Sequence, residues 1–188
     1  MHKKYLVILL AIIALGGFLR FYRITEIPLG LYPDEAMNGS NAQEALATGH
    51  FKVFYPENNG REGLFINLQA ISIAAFGATP WALRIVSAII GTLTILGIYL
   101  VAKELSTEKN VIPDLIGNPG SRGLDSRVRG NDKWIGLLAA FFLATSYWHI
   151  NFSRIGFRAI MLSFMACFGM YFLIKGLRRG KPYHLILA

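Results

Sequence analysis

Apolar residues along this chain fall in long blocks divided by polar stretches, unlike the short alternating runs of a soluble domain. Five blocks, at 5–22, 64–78, 81–101, 134–152 and 156–174, approach the ~20 apolar residues that cross a bilayer core. A sixth apolar run opens at Tyr183 and stops within "YHLILA". In hydrocarbon every backbone N–H and C=O must be paired inside the protein, so the blocks are predicted as helices. The expected fold class is therefore all-α, a polytopic transmembrane helical bundle, and the broken-off last run reads as part of a longer membrane protein.

The first block follows "MHKK", and with the small residues Ala14 and Gly16 it also fits a cleaved signal peptide. Its apolar pattern resumes through Phe18, Leu19, Phe21 and Tyr22, which favours an uncleaved helix. With Lys3 and Lys4 cytoplasmic, residue 24 onward lies on the extracytoplasmic side. Residues 24–63 fit that side: Glu26, Asp34, Glu35, Glu44, Glu57 and Glu62 against Lys52 and Arg61 give a net charge of −4. Within this loop Pro33 suits a helix start, Asp34 and Glu35 suit its first turn, and Gly49 suits its end. Ala36, Met37, Ala42, Ala45 and Leu46 predict an amphipathic helix lying along the membrane surface.

Block 64–78 is short: its 15 residues reach only ~23 Å, and it carries Asn67 and Gln69. If every block spans, strict alternation puts Lys175, Arg178, Arg179 and Lys181 outside, against the positive-inside tendency. If 64–78 is re-entrant, that basic tail returns to the cytoplasm and Arg154 and Arg158 face outward. A short, tilted span is the alternative. Residues 111–132, "VIPDLIGNPGSRGLDSRVRGND", are rich in turn formers and resemble translated palindromic repeat elements, so they are expected to be a tolerated inserted loop.

Composition sharpens this picture in two places. The net charge of +8 comes from Lys and Arg beside apolar blocks, which points to membrane lipid headgroups and topology, with no nucleic acid partner. A lone cysteine, Cys167, lies inside an apolar block and supports neither a disulfide framework nor a cysteine metal site.

Candidate chemistry starts at Asp34 and Glu35. Successive helical side chains diverge by roughly 100°, so the two carboxylates are expected to meet different partners. One can face a cavity while the other is held by arginine or backbone donors. A carboxylate so placed can act as general base toward a hydroxyl, or ligate a divalent metal ion.

The ordered stretches "LRFYRITEIPLGLYPDEAMNGSNAQEAL", "FYPENNGREGLFINLQAISIAAFGATPWALRIVSAIIGTLTILGIYLVAKEL" and "SYWHINFSRIGFRAIM" resemble membrane glycosyltransferases of the GT-C superfamily. Within it they look like the branch of protein O-mannosyltransferases and lipid A aminoarabinose transferases. The resemblance implies a polyprenyl-phosphate-linked sugar as donor and a protein or lipid/glycan hydroxyl as acceptor at the extracytoplasmic face of a bacterial or archaeal-type plasma membrane. It also implies an inverting transfer. Asp34 then maps to the acidic residue of the first external loop, the base or acceptor-orienting group, and Glu35 to its partner.

The same resemblance points to Arg61 and Arg84 as phosphate partners, and Arg154 and Arg158, by their spacing of four residues on one helix face, are candidates to clamp a phosphate or diphosphate. Arg61 and Glu62 stand where relatives carry a Lys-Pro-Pro-Leu type motif, so Arg61 would supply the cation while Glu62 and Gly63 replace prolines. Such enzymes carry many more helices, so 188 residues would form only an N-terminal portion. No cofactor is certain, and a divalent metal is open.

The chain could be a non-enzymatic membrane scaffold or bind a lipid carrier; a transporter lacks support, since no paired, broken repeat is visible. Arg84 could snorkel near Trp81, and Arg154 and Arg158 could anchor topology. His149, beside Tyr147 and Trp148, reads as an interfacial histidine. Asn38-Gly39-Ser40 and Asn151-Phe152-Ser153 match a glycosylation acceptor pattern that chance often produces.

Overall fold

The computed structural model describes residues 3–57, 59–106, 132–179 and 186–187. The expected inserted loop at 111–132, apart from Asp132, and the expected helix start at Tyr183 lie outside these residues. The chain is mostly helical: α1 (Lys3–Phe21), α2 (Pro33–Thr48), α3 (Gly63–Phe76), α4 (Pro80–Ser106), α5 (Asp132–Thr145), α6 (Tyr147–Arg154) and α7 (Ala159–Arg179). Between α2 and α3 a two-stranded antiparallel hairpin pairs β1 (Phe54–Tyr55) with β2 (Arg61–Glu62), Tyr55 opposite Arg61.

Helices α1, α4 and α7 are each long and apolar enough to cross a membrane. Block 134–152 is not one straight helix: α5 and α6 bend by 57° at Ser146, and together they would make a fourth crossing. Buried Arg20 of α1 donates to carbonyls of α5 and to side chains of α6 on the two sides of this bend. α3, at 14 residues, is shorter than a span. It lies along the first part of α4, with the Gln69 amide donating to Leu83 O at 3.1 Å, Ser72 Oγ donating to Ala82 O, and Phe76 edge-on to Trp81.

Contacts sort the helix ends into two poles. At one, Tyr5 of α1 meets Trp134 of α5 edge-on, and Arg178 of α7 pairs with Glu104 of α4. Every described lysine except Lys52 belongs to the ends of these helices. At the other pole, loop 22–32, α2 and the hairpin gather around the start of α4 and the α6–α7 turn. Arg84 and Glu104, both on α4, are 20 residues and so about 30 Å apart, one hydrocarbon thickness. The return of Arg178 to Glu104 puts the end of α7 at the lysine-rich pole, where the non-spanning reading of 64–78 required it.

Packing between the poles relies on α4, which touches every other helix core. Leu9, Ile12, Ile95, Tyr99, Leu137 and Ala140 form one cluster among α1, α4 and α5. A second joins Ala42 of α2, Tyr55 of β1, Ile66 and Ala70 of α3, and Leu83 of α4. The Ala42 and Ala45 face expected to lie on the membrane is thus used to seat α2 against α3, because α3 offers it a protein surface. Outward-facing Leu10, Phe18, Leu138, Phe142, Leu162 and Met165 are exposed, as a lipid-facing belt would be.

One glycine sets a close crossing. A Cβ on Gly91 of α4 would come within 2.1 Å of Ser153 Oγ and 2.7 Å of Ser153 Cβ on α6. Gly91→Ala is therefore expected to push α6 off α4 and cost about 1–3 kcal/mol. Detergent-titrated unfolding followed by circular dichroism checks this, and an unchanged midpoint would show that Ser153 simply rotates away.

Candidate functional site

Local sequence explains how α2 presents its acids. Pro33 starts the helix with its preset backbone, and Gly49 ends it in a left-handed conformation at φ 72°. Glu35 accepts from the Tyr32 backbone N–H at 3.3 Å and is turned inward, while Asp34, one position earlier, stays half-buried on a different face.

Glu35 is buried and faces Arg84, also buried. Arg84 Nε donates to Glu35 Oε1 at 2.8 Å and Nη2 to Oε2 at 3.2 Å. The other Arg84 donors reach Ile24 O at 2.8 Å, Pro28 O at 3.0 Å and Gly30 O. All five N–H groups of Arg84 are thus occupied within the protein, leaving none for a phosphate. The pair ties loop 24–30 to the start of α4. Gly156 in the α6–α7 turn closes over it, since a Cβ there would meet Glu35 Cγ and Gln69 Nε2 at 2.9 Å.

Arg154 also faces inward. Its guanidinium donates to Leu19 O at 2.7 Å, Tyr22 O at 2.7 Å and Ile27 O at 2.8 Å, so it caps the C-terminal end of α1. Although Arg158 is four residues on, helix α6 ends between them at Arg154, so the two arginines do not form one clamp.

The hairpin separates Arg61 from Glu62 because strand neighbours point to opposite faces. Arg61 goes inward: Nη1 donates to Asn38 Oδ1 at 2.6 Å, Nη2 to Asn41 Oδ1, and Nε to Glu57 O at 3.2 Å. Asn38 in turn donates to Gly156 O at 3.2 Å. Burial pulls the Arg61 pKa below its usual value; Glu57 and Asp34 oppose that pull and Arg158 adds to it. Glu62 goes outward and accepts from Arg158 Nη1 at 2.9 Å. Its carboxyl lies below the usual carboxylate range, chiefly through its own backbone N–H, with Arg158 helping.

Asp34, Arg61, Glu62 and Arg158 therefore converge at this pole from three distant parts of the chain. Arg158 Nη1 also donates to Gly60 O at 3.2 Å, whereas among the described residues nothing accepts from its Nε or Nη2. That free edge is the one that grips carboxylate or phosphate oxygens two at a time. Glu35, Arg84 and Arg154 lie behind it as framework.

Other features frame this surface. Trp148, Phe152 and Phe157 stack in succession at 6.4 and 5.5 Å, and Tyr32 meets Phe157 edge-on at 6.5 Å. This ladder runs from α6 to the start of α2. Two clefts of about 270 and 260 Å³ open nearby, one against Asn151 and Arg154, the other beneath Gly39 and Gln43; neither is lined by Asp34 or Arg158. Among the described residues no three His, Cys, Asp or Glu side chains gather as a metal site.

Sequence reading did not single out Arg20, Asn38, Asn41 or Gln69 as polar groups with work to do. Each is buried. Arg20 had a visible signal, a cation inside the apolar run "FLRF", whereas the two asparagines could be recognised only once Arg61 was known to turn toward α2.

No protein-family model matches the chain, and no curated protein or solved structure matches it.

Proposed function

We propose that the chain is part of a membrane glycosyltransferase that takes a sugar from a polyprenyl phosphate and passes it to a hydroxyl acceptor. The observation that carries this reading is that Asp34 and Arg158, whose guanidinium keeps an open edge, both lie within electrostatic reach of Arg61 at the pole opposite the lysines. The lysine-rich pole is cytoplasmic by the positive-inside rule, so this surface faces the other side, at headgroup depth. The protein lies in the plasma membrane with its N-terminus inside.

In this mechanism Asp34 takes the proton of the acceptor hydroxyl as its oxygen attacks the anomeric carbon. The bond from that carbon to the phosphate oxygen breaks on the opposite face, and the phosphate leaves with the electron pair, inverting the centre. Arg158 binds the departing phosphate through Nε and Nη2, where an unpaired anion would be costly. Arg61, within electrostatic reach of Asp34, adds positive potential beside it. Glu62 holds Arg158 in place, and Glu35 with Arg84 fixes the turn that presents Asp34.

The test is Asp34→Asn in the full-length protein in proteoliposomes, supplied with radiolabelled polyprenyl-phosphate hexoses. Transfer is expected to fall by ~10²–10⁴, with carrier binding and thermal unfolding unchanged. Transfer unaffected by the substitution would remove Asp34 as base. Carrier binding without any transfer by the unsubstituted protein would favour the lipid-binding scaffold instead.

A further inference from the structure

The opposite pole carries a feature that the transfer reaction does not use. At the first turns of α1 and α5, Lys4 lies over the Trp134 ring at 6.0 Å and Lys133 over the Tyr5 ring at 5.1 Å. The two rings meet edge-on, centroids 5.7 Å apart and planes at 79°. Four residues from two helices thus form one crossed unit, each helix supplying a cation for the other's ring. Among the described residues no carboxylate pairs with Lys4 or Lys133.

We propose that the Lys4–Tyr5–Lys133–Trp134 unit is a binding site for the headgroup of an acidic phospholipid in the leaflet at this pole. The reasoning is geometric and electrostatic. Tyr and Trp side chains settle at the headgroup level of a bilayer, and here they fix the depth of both ammonium groups. The pole lies about 30 Å along α4 from Arg84, one hydrocarbon thickness away. Below the unit, exposed Leu6, Val7 and Leu138 continue toward the bilayer centre and offer apolar surface for acyl chains.

Two lysines without carboxylate partners leave a doubly positive spot against an apolar wall. A phosphodiester on a diacyl chain matches both halves, its anion meeting the ammonium groups and its tails meeting the leucines. A zwitterionic lipid brings its own cation to the same place and gains less. Elsewhere on this pole Lys175 donates to Tyr171 OH at 2.8 Å and Arg178 pairs with Glu104, so those cations have protein partners. The inference is independent of the transferase reading and requires only that the helices sit in a membrane.

Tryptophan fluorescence offers the test, because the other two tryptophans, Trp81 and Trp148, lie at the opposite pole. In a Trp81→Phe, Trp148→Phe background, the full chain is reconstituted in phosphatidylcholine nanodiscs containing a minor fraction of brominated phosphatidylglycerol or, separately, brominated phosphatidylcholine. Trp134 is expected to be quenched preferentially by the acidic lipid, with the preference falling about fivefold for each of Lys4→Gln and Lys133→Gln. Rising salt should weaken it in the same direction. Lys175→Gln is expected to leave it unchanged. Equal quenching by the two lipids, or a preference that survives the double lysine substitution, would overturn the proposal.

Discussion

Arg84→Ala is expected to cost about 3–5 kcal/mol, because it leaves a buried carboxylate without its cation and strips donors from three backbone carbonyls. The partners are specific: Glu35 at 2.8 Å, then the oxygens of Ile24, Pro28 and Gly30. Arg84→Lys should recover part of this loss, since an ammonium can answer Glu35 but cannot reach all four partners at once. Glu35→Gln with Arg84 intact should be milder, as the guanidinium keeps its carbonyls. Urea or detergent unfolding in bicelles gives the ranking, and proteolysis near residues 24–30 reports release of the loop in particular. If Arg84→Ala unfolds within about 1 kcal/mol of the unsubstituted chain, the pair would be a passive neighbour of the loop and not its tether.

This pair also shows how far the sequence could be read. That Asp34 and Glu35 must diverge followed from helical geometry, and the structure sends Glu35 to Arg84 while Asp34 stays half-buried. Which of the two arginine environments would remain open could not follow from sequence. Arg84 and Arg158 look alike as residue types, yet one has all donors occupied and the other has a free edge, a difference made by loop carbonyls at 24–30 and by the position of Glu62. Hydrophobic block length was a better guide. Block 64–78 was short for a span, and it folds as the 14-residue α3 packed along the first part of α4; α1, α4 and α7 stand where continuous apolar runs placed them. Block 134–152 misled because its hydrophobicity continues through Ser146 while its backbone does not. The carbonyls at the break accept from a side chain supplied by α1, more than a hundred residues earlier, and no local pattern encodes that.

Arg20 is that side chain, and its replacement by Met is expected to destabilise the bundle by about 3–5 kcal/mol. Within α5 the carbonyls of Leu143 and Ala144 would normally accept from the residues four positions on, but the 57° bend at Ser146 carries those N–H groups away. Arg20 takes their place. Nη1 donates to Ala144 O at 3.1 Å and Gly16 O at 2.7 Å, and Nη2 to Leu143 O at 3.3 Å. The remaining donors reach His149 Nδ1 at 2.8 Å and Ser153 Oγ at 3.3 Å on α6. Since an arginine can only donate, His149 accepts through Nδ1 and carries its own proton on Nε2. A single cation thus sits at the C-terminal end of α5, where the helix dipole favours it, and joins both halves of the bent span to α1. Methionine fills similar volume but removes the only donor to Ala144 O among the described residues, leaves Leu143 O with only the Ser146 N–H at 3.3 Å, and takes the guanidinium away from His149 Nδ1 in a low-dielectric interior. Arg20→Lys should fall between, because three donors on one nitrogen cannot serve five directions. Spin labels at Leu138 and Phe152, both exposed, would report the bend as a distance distribution, which should broaden in Arg20→Met. Unchanged stability together with an unchanged distribution would mean that Tyr147–Arg154 is held at its angle by the Gly91–Ser153 contact and the Arg154 cap alone.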